Sequence, residues 1–276
     1  MKHPSTSRLA RRSDSSGTDQ SAGTDRCPDS SYRLLDVPPG AGPLADEILL
    51  APAIREPVAC LWRAAPGLVV PRTYAARPGF AAVQADFAAR GCPVHVRQSG
   101  GGVVPQGPGI LNLSLAQVFA GRPLDHSEAL YRHLCALIGD ALAAFGIEAR
   151  TQAVEGSFCD GRYNLAVPSP ARKIVGTAQV WRRIPGHAPD RHVGLVHALI
   201  LAHGDPAEMT ARANALEAAL GTARRYDADR IATLDRLLPP AERPGFPAAL
   251  EARLQETLRA RPPLPTTAPA RPRPEP

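Results

Sequence analysis

The amino-acid sequence predicts an α+β fold, a mixed β-sheet flanked by helices, with a small helical region at its C-terminal end. Between residues 32 and 205, short apolar stretches of strand length are mixed with helical stretches, without the strict alternation of a doubly wound fold. From residue 206 onward the apolar residues recur at helical spacing. These two observations favour one sheet-and-helix domain followed by a helical region.

Composition divides the chain into four parts. Residues 1–31 are polar and rich in Ser, Asp and Arg, and residues 262–276 are rich in Pro, so neither stretch can bury enough apolar surface to fold. We therefore predict a disordered leader at 1–31, the main domain at 32–205, a helical region at 206–261 and a disordered tail at 262–276.

The individual elements follow from periodicity and from turn residues. The clearest is a helix at 127–145, with Ser127 as its N-cap and Gly146 after its end. Strands at 94–97 and 110–115 flank a run of glycines and are predicted to form one two-stranded ribbon. The other predicted elements are a short helix at 43–52, strands at 58–62 and 67–71, a helix at 80–90, strands at 165–167, 173–179 and 193–201, and helices at 206–220, 227–238 and 248–260.

The overall composition excludes several classes of protein. No run of about 18 apolar residues is present, so no membrane span is expected, and the N-terminal stretch lacks the apolar core of a secretory signal. The net charge is +6, but the arginines are scattered and aromatic residues make up only 5%, which argues against nucleic-acid binding. Five cysteines without a CxxC pair indicate neither a disulfide framework nor a zinc site. We expect a cytoplasmic protein without a metal site.

The strongest local signal is a glycine-rich segment at 97–109, which begins Arg-Gln-Ser-Gly-Gly-Gly. Its three consecutive glycines expose backbone N–H groups and let a ligand approach closely. Arg97 would add a positively charged fork for a phosphate or a carboxylate. The segment lacks the Gly-Lys-Ser/Thr of a phosphate-binding loop. Taken alone, it is equally compatible with a flexible hairpin loop.

Three further side chains are candidates for chemistry. Lys173 lies among small and apolar residues, so burial in a cleft could lower its pKa, or its charge could polarise an acyl carbonyl. Cys159 precedes a turn, and the nearby Arg162 could favour a thiolate. His197 lies in an apolar strand. From the pattern alone, a solvated lysine, an inert buried thiol and a core histidine are the simpler interpretations.

Four motifs, in order along the chain, resemble the lipoate–protein ligase and octanoyltransferase family, which shares its catalytic fold with biotin–protein ligases. Residues 44–47 are similar to the family's A-x-D-E helix, and residues 69–72 to its V-x-x-G-R strand end. Residues 97–102 are similar to R-R-x-S-G-G-G, and residues 163–179 to N-D-L-x-V followed by R-K-x-x-G-x-A-Q. The resemblance covers roughly residues 40–205 and implies the family's α+β catalytic fold.

The resemblance also implies a site and its partners. The acyl chain would lie along the glycine-rich segment, and Lys173 would contact the acyl group or an adenylate. The acceptor would be a lysine on an acidic lipoyl domain or glycine-cleavage H protein, which a basic protein suits electrostatically. No tightly bound cofactor is expected, since the octanoyl or lipoyl group is the substrate. The implied substrate-binding residues are Arg72, Arg97, Ser99, Gly100, Gly101, Gly102, Asn164, Gly176, Thr177, Ala178 and His197.

Two departures from the family pattern favour thioester transfer over adenylation. Family ligases usually follow the glycines with His-Asp and Gly-Asn, whereas this chain has Val-Val-Pro-Gln-Gly-Pro-Gly, and Gln98 replaces the second Arg. The family's cysteine-dependent octanoyltransferases carry a nucleophilic cysteine before the lysine, and Cys159 lies fourteen residues before Lys173. The implied mechanism is ping-pong: Cys159 takes the acyl group from acyl carrier protein, and the acceptor lysine then removes it. Lys173 and backbone N–H groups near Gly101 would stabilise the oxyanion.

Two alternatives stay open. An ATP-dependent lipoate–protein ligase, which would require ATP and Mg²⁺, is favoured by the Ser-Gly-Gly-Gly and Lys-Ile-Val-Gly-Thr-Ala stretches. A catalytically silent member that only binds a lipoyl domain or an acyl ligand is compatible with the altered loop at 105–108.

Overall fold

The computed structural model describes residues 31–38 and 40–267 of the 276-residue chain. The predicted leader at 1–31, apart from Ser31, and the tail from 268 onward therefore lie outside the described residues. The strands are β1 (Arg33–Leu34), β2 (Val58–Trp62), β3 (Gly67–Pro71), β4 (Val94–Arg97), β5 (Val104–Gln106), β6 (Ile110–Ala120), β7 (Arg150–Thr151), β8 (Leu165–Val167), β9 (Arg172–Arg183) and β10 (Arg191–Leu201). The α-helices are α1 (Arg72–Ala75), α2 (Phe80–Ala89), α3 (Pro123–Ala143), α4 (Pro206–Ala219) and α5 (Phe246–Ala260).

The strands form two mixed sheets. The larger has seven strands in the order β1-β2-β6-β10-β9-β8-β7, centred on the long antiparallel pair of β6 and β10. Its pairs are antiparallel except for β1 with β2. The smaller has three strands in the order β4-β3-β5, with one parallel and one antiparallel pair. Mixed sheets flanked by helices confirm the predicted α+β class.

The two faces of the large sheet are covered differently. Because side chains alternate along a strand, one set, including Leu113 of β6 and Val196 of β10, packs with helices α3 and α5 and is fully buried. The other set, including Ser114 and His197, points to the opposite face. That face is covered by the helical turn Ala45–Leu50 and by the small sheet, and a cavity lies between them.

The predicted ribbon of strands 94–97 and 110–115 is wrong. β4 pairs with β3 in the small sheet, whereas β6 lies at the centre of the large sheet. β6 is eleven residues long and buried along nearly its whole length. Such burial is typical of a central strand in a sheet, whereas a strand of an isolated two-stranded ribbon stays largely exposed. The glycine run therefore leads from β4 to β5 within the small sheet, and the chain then crosses to the large one.

Most helices lie where they were predicted, but three differ, and the short one predicted at 43–52 is a 3₁₀ turn, Ala45–Leu50. α3 begins at Pro123, earlier than the predicted N-cap Ser127, because proline suits the first turn of a helix. The predicted helix at 227–238 is instead two short 3₁₀ turns on either side of Ile231, whose backbone bridges to Lys173 of β9. Pairing with the sheet replaces the helix there. No α-helix within the described ranges has both the length and the apolar character needed to cross a membrane.

Gln117 of β6 joins two distant segments of the chain. Its amide oxygen accepts hydrogen bonds from the Tyr32 hydroxyl at 3.1 Å and from the Leu264 N–H at 3.2 Å. Its amide nitrogen donates to the Leu264 carbonyl at 2.8 Å, and Thr267 bridges to Ala120. Residues 264–267 were predicted to belong to a disordered tail, but these backbone contacts hold them on the sheet.

Candidate active site

A cavity opens on the face of the large sheet away from α3. Three paired strands of the large sheet form its floor. Ser114 of β6 lies opposite His197 of β10, and His197 lies opposite Ala178 of β9. Apolar side chains form much of the remaining wall: Leu44, Trp62, Val69, Val104, Val180, Leu195 and Leu199. A largely apolar cavity with a few polar groups suits an acyl chain.

Cys159 lies in the loop between β7 and β8, where this cavity meets an open cleft. The cleft is lined by Gly101, Arg224 and Arg225 among others, and Cys159 borders both spaces. The Cys159 backbone has a φ of 49°, a left-handed conformation that is uncommon for a residue other than glycine. Hydrogen bonds to its carbonyl oxygen from Lys173 Nζ (2.9 Å) and Asn164 Nδ2 (3.0 Å) hold this strained turn in place.

The glycine loop packs directly against the Cys159 sulfur. A Cβ added at Gly101, whose φ is 104°, would overlap this sulfur and lie 2.9 Å from Nη2 of Arg97. The same Arg97 nitrogen lies 3.8 Å from the sulfur. The glycine loop therefore brings a positively charged guanidinium next to the sulfur. By contrast, a Cβ added at Gly100 would meet no atom within 4 Å.

Of the two arginines predicted to bind substrate, Arg97 lines the cavity and Arg72 does not. Arg97 is buried and donates to the carbonyl oxygens of Val69 (3.1 Å), Gly100 (2.8 Å) and Gly102 (2.7 Å). Because its donors are directed to these carbonyls, Arg97 braces the loop and does not offer a free fork to a phosphate or carboxylate. Arg72 begins α1, is exposed and does not line the cavity.

Lys173 is fully buried on β9, behind the Cys159 loop. Its ammonium donates to the carbonyl oxygens of Phe158 at 2.6 Å and Cys159 at 2.9 Å. Burial lowers its pKa from 10.5 to about 8, against the opposing influence of Cys159 and Asp160. Lys173 does not line the cavity, so its observed role is to hold the Cys159 loop. Its contact with an acyl group stays a prediction.

Lys173→Met is expected to remove a pH dependence of stability. Between about pH 8 and 10.5 the unfolded chain binds the Lys173 proton and the folded protein does not, so this group makes wild-type stability rise with pH across that window. Below this window both the folded and the unfolded state bind the proton, and burial of the charged ammonium lowers the free energy of unfolding by its full amount, about 3 kcal/mol.

Urea unfolding of both proteins at about pH 7 and about pH 10 measures this contribution, because groups common to the two proteins cancel in the difference. The stability of the wild type relative to Lys173→Met should increase at the higher pH. A difference independent of pH would show that Lys173 has an ordinary pKa.

The remaining predicted residues connect β9 to the Cys159 loop and to the cavity. Asn164 is fully buried, and its amide oxygen accepts the Thr177 N–H at 3.1 Å. Gly176, Thr177 and Ala178 all line the cavity. A Cβ at Gly176 would lie 2.9 Å from Lys173 Nζ, so a larger residue there would disturb the lysine that supports Cys159.

Residues 45–255 match the model of the lipoyl protein ligase A/B catalytic domain. The chain belongs to this family. The family suggested by the four ordered motifs is therefore confirmed, and with it a place among lipoyl and octanoyl transferases and ligases.

Three individual proteins are similar to this lipoyl protein ligase A/B domain. An uncharacterized protein of Cupriavidus necator is 48% identical over 229 residues, which span 80% of this chain and 90% of that protein. The octanoyl-GcvH:protein N-octanoyltransferase of Kyrpidia tusciae is 40% identical over 119 residues, 42% of this chain and 40% of that protein. A crystal structure of lipoate-protein ligase A bound with ATP covers 83% of this chain and 85% of its own, at 20% identity and a TM-score of 0.58. This last similarity confirms the fold.

The lipoyl protein ligase A/B domain also has cavity residues that were not predicted from the sequence. Asp46 accepts hydrogen bonds from Ser114 Oγ (3.0 Å) and His197 Nδ1 (2.9 Å), and His197 Nε2 contacts Ser99 Oγ at 3.2 Å. Asp46 lies in the A-x-D-E stretch, so its signal was available, whereas Ser114 had none without the strand register. Within residues 31–38 and 40–267, no group of three or more His, Cys, Asp or Glu side chains is arranged to hold a metal ion.

Proposed function

We propose that this protein is an octanoyl- or lipoyltransferase that carries the acyl group on Cys159 and delivers it to a lysine of a lipoyl domain or glycine-cleavage H protein. One observation carries the proposal. Cys159 is placed where an apolar cavity suited to an acyl chain meets an open cleft suited to a protein partner. The similarity to an octanoyltransferase over 119 residues supports the same activity.

In the first half-reaction, the Cys159 thiolate attacks the carbonyl carbon of an acyl carrier protein thioester. A new carbon–sulfur bond forms, the carrier's carbon–sulfur bond breaks, and the carrier leaves as a thiolate that takes up a proton. The Arg97 guanidinium near the sulfur supports the attacking thiolate. Backbone N–H groups of the glycine loop are the proposed donors to the oxyanion that forms between these steps.

In the second half-reaction, the acceptor lysine attacks the carbonyl carbon of the octanoyl-Cys159 thioester. The octanoyl group ends as an amide on the lysine, and Cys159 is released as a free thiol. Lys173 and Asn164 act by holding the Cys159 carbonyl, so the thioester keeps one position in both half-reactions. The proposed setting is the cytoplasm, where Cys159 stays reduced.

ATP-dependent ligation is the second candidate, with ATP and Mg²⁺ as its additional requirements. An adenylating enzyme needs cationic groups free to bind phosphate oxygens. In this site the guanidinium of Arg97 is directed to three backbone carbonyl oxygens, and Arg72 lies outside the cavity. Arg97, the arginine that lines the cavity, is therefore not free to bind phosphate there, and this favours thioester transfer.

The experiment is to incubate the protein with octanoyl-acyl carrier protein and to measure its intact mass. We expect a gain of one octanoyl group, removable by hydroxylamine as a thioester would be, and transfer to added H protein without ATP. If no adduct forms but octanoate, ATP and Mg²⁺ give an octanoylated H protein, the enzyme is a ligase. Inactivity in both assays would leave a binding protein.

Charge reversal of Arg224 and Arg225 is expected to weaken partner binding. Both are exposed at the cleft that borders Cys159, and the proposed carriers are acidic. Arg224→Glu/Arg225→Glu should raise KM for octanoyl-acyl carrier protein about tenfold, with the defect shrinking at high salt. The rate with octanoyl-pantetheine, a small uncharged donor, should change little because it makes no protein contact at the cleft.

Arg182→Glu/Arg183→Glu is the matched control for this prediction. It changes the net charge equally, but the two arginines are exposed at the end of β9 far from Lys173. Equal KM increases in the two double variants would show that net charge, and not the cleft, attracts the carrier.

A further inference from the structure

Three side chains from separate elements form a hydrogen-bonded chain that reaches the cavity. Asp46 belongs to the turn Ala45–Leu50, His197 to β10, and Ser99 to the loop after β4. The His197 ring bonds Asp46 through Nδ1 at 2.9 Å and Ser99 through Nε2 at 3.2 Å. The order of groups, hydroxyl to imidazole to buried carboxylate, is the arrangement that makes a general base in serine hydrolases.

The surroundings of Asp46 fix the direction of these hydrogen bonds. The Asp46 carboxylate is 5% exposed, and the oxygen that meets His197 also accepts from Ser114 Oγ at 3.0 Å. Ser114 in turn accepts from the Trp62 indole N–H at 3.4 Å, so its own hydroxyl hydrogen is directed to Asp46. In the tautomer that matches these contacts, Nδ1 of His197 donates to the Asp46 carboxylate and Nε2 accepts the Ser99 hydroxyl.

The Ser99 hydroxyl connects this imidazole to the glycine loop that packs beside Cys159. Ser99, His197 and Cys159 all line the same cavity. Ser99 is two residues from Gly101, whose Cα abuts the Cys159 sulfur, so the Ser99 and Gly101 backbones are within about 7 Å of each other. Near Cys159, Arg97, Lys173 and Asn164 donate hydrogen bonds to backbone carbonyls. The adjacent Asp160 carboxylate accepts the Val154 N–H at 2.8 Å.

Transfer to a lysine requires a proton acceptor, because a lysine side chain in water is an ammonium at neutral pH. We propose that His197, acting through the Ser99 hydroxyl and positioned by Asp46, is the general base that deprotonates the acceptor lysine; this inference rests on the proposed function. The ammonium gives one proton to Ser99 as Ser99 gives its own to His197. The free amine attacks the thioester carbonyl, the carbon–nitrogen bond forms and the carbon–sulfur bond breaks. The second proton of the nitrogen goes to the Cys159 thiolate, and His197 returns its proton to solvent.

The test isolates the second half-reaction. Octanoyl-enzyme is prepared, and its decay is followed by mass with either H protein or hydroxylamine, an amine that is mostly unprotonated at neutral pH and needs no base. His197→Gln and Asp46→Asn should each lower the ratio of the lysine rate to the hydroxylamine rate by about 100-fold. His192 lies on the same strand as His197 but does not line the cavity. His192→Gln is therefore the control and should leave the ratio unchanged.

Each other outcome overturns the proposal in a distinguishable way. If His197→Gln lowered the rates with H protein and with hydroxylamine equally, the hydrogen-bonded side chains of Asp46, His197 and Ser99 would be a structural support and not a base. An unchanged ratio would place the base elsewhere. An octanoyl ester on Ser99 in the Cys159→Ala protein would make Ser99 a nucleophile. A wild-type protein that forms no octanoyl-enzyme would overturn the proposed function, and this inference with it.

Discussion

Replacing Cys159 with alanine is expected to remove the octanoyl-enzyme and to lower the rate of octanoyl transfer by about 10³-fold or more. The sulfur is the only nucleophile of the proposed first half-reaction, and the rest of the site cannot substitute for it. The substitution is small, and the loop keeps the backbone bonds from Lys173 and Asn164 to residue 159. Intact mass and a transfer assay with H protein measure the two effects.

Cys92→Ala is the matched control, because Cys92 is a free cysteine that follows α2 and lines neither the cavity nor the cleft. It should keep both the adduct and the transfer rate. An octanoyl adduct that persists in Cys159→Ala would contradict the proposed mechanism directly.

Gly101→Ala is expected to lower the rate of octanoyl-enzyme formation by about 100-fold. The added Cβ would overlap the Cys159 sulfur and press on the Arg97 guanidinium, and a φ of 104° is also unfavourable for alanine. The sulfur must therefore move from its position between cavity and cleft. Single-turnover mass measurements with octanoyl-acyl carrier protein follow this step.

Gly100→Ala tests whether crowding of the sulfur is the cause. Gly100 is the adjacent glycine, its φ lies outside the left-handed region, and an added Cβ meets no atom within 4 Å. Its rate should stay within about threefold of wild type, since surface substitutions away from special features have small effects. Equal losses in both variants would mean that the loop needs flexibility and that the contact with Cys159 is not decisive.

Much of the fold could be predicted from the sequence because its strands are short, apolar and bounded by turn residues. The predicted strands 58–62, 67–71, 94–97 and 165–167 agree with the observed ones. Pairing was not predictable in the same way, because it depends on contacts far apart along the chain. β4 and β6 were therefore joined in one ribbon, although they belong to different sheets. The segment 227–238 shows the same limit, since its helical periodicity is overridden by the bridge from Ile231 to Lys173.

For the site, motif order identified the segments that meet around Cys159, but not the direction of each side chain. The buried ammonium of Lys173 bonds to the backbone carbonyls of Phe158 and Cys159, and its contact with the acyl group stays a prediction. Arg97 similarly directs its donors to its own loop. The partnership of Asp46 with His197 depends on how the first helical turn lies across the sheet, which local sequence does not specify.

The amide of Gln117 has a practical consequence for handling this protein. Through it, the segment around Tyr32 and the segment around Leu264 meet at one point on the sheet. That point belongs to the face packed against α3, whereas Cys159 opens on the opposite side. A fluorophore attached within the described part of either segment would therefore lie behind the sheet, away from the cavity that Cys159 lines.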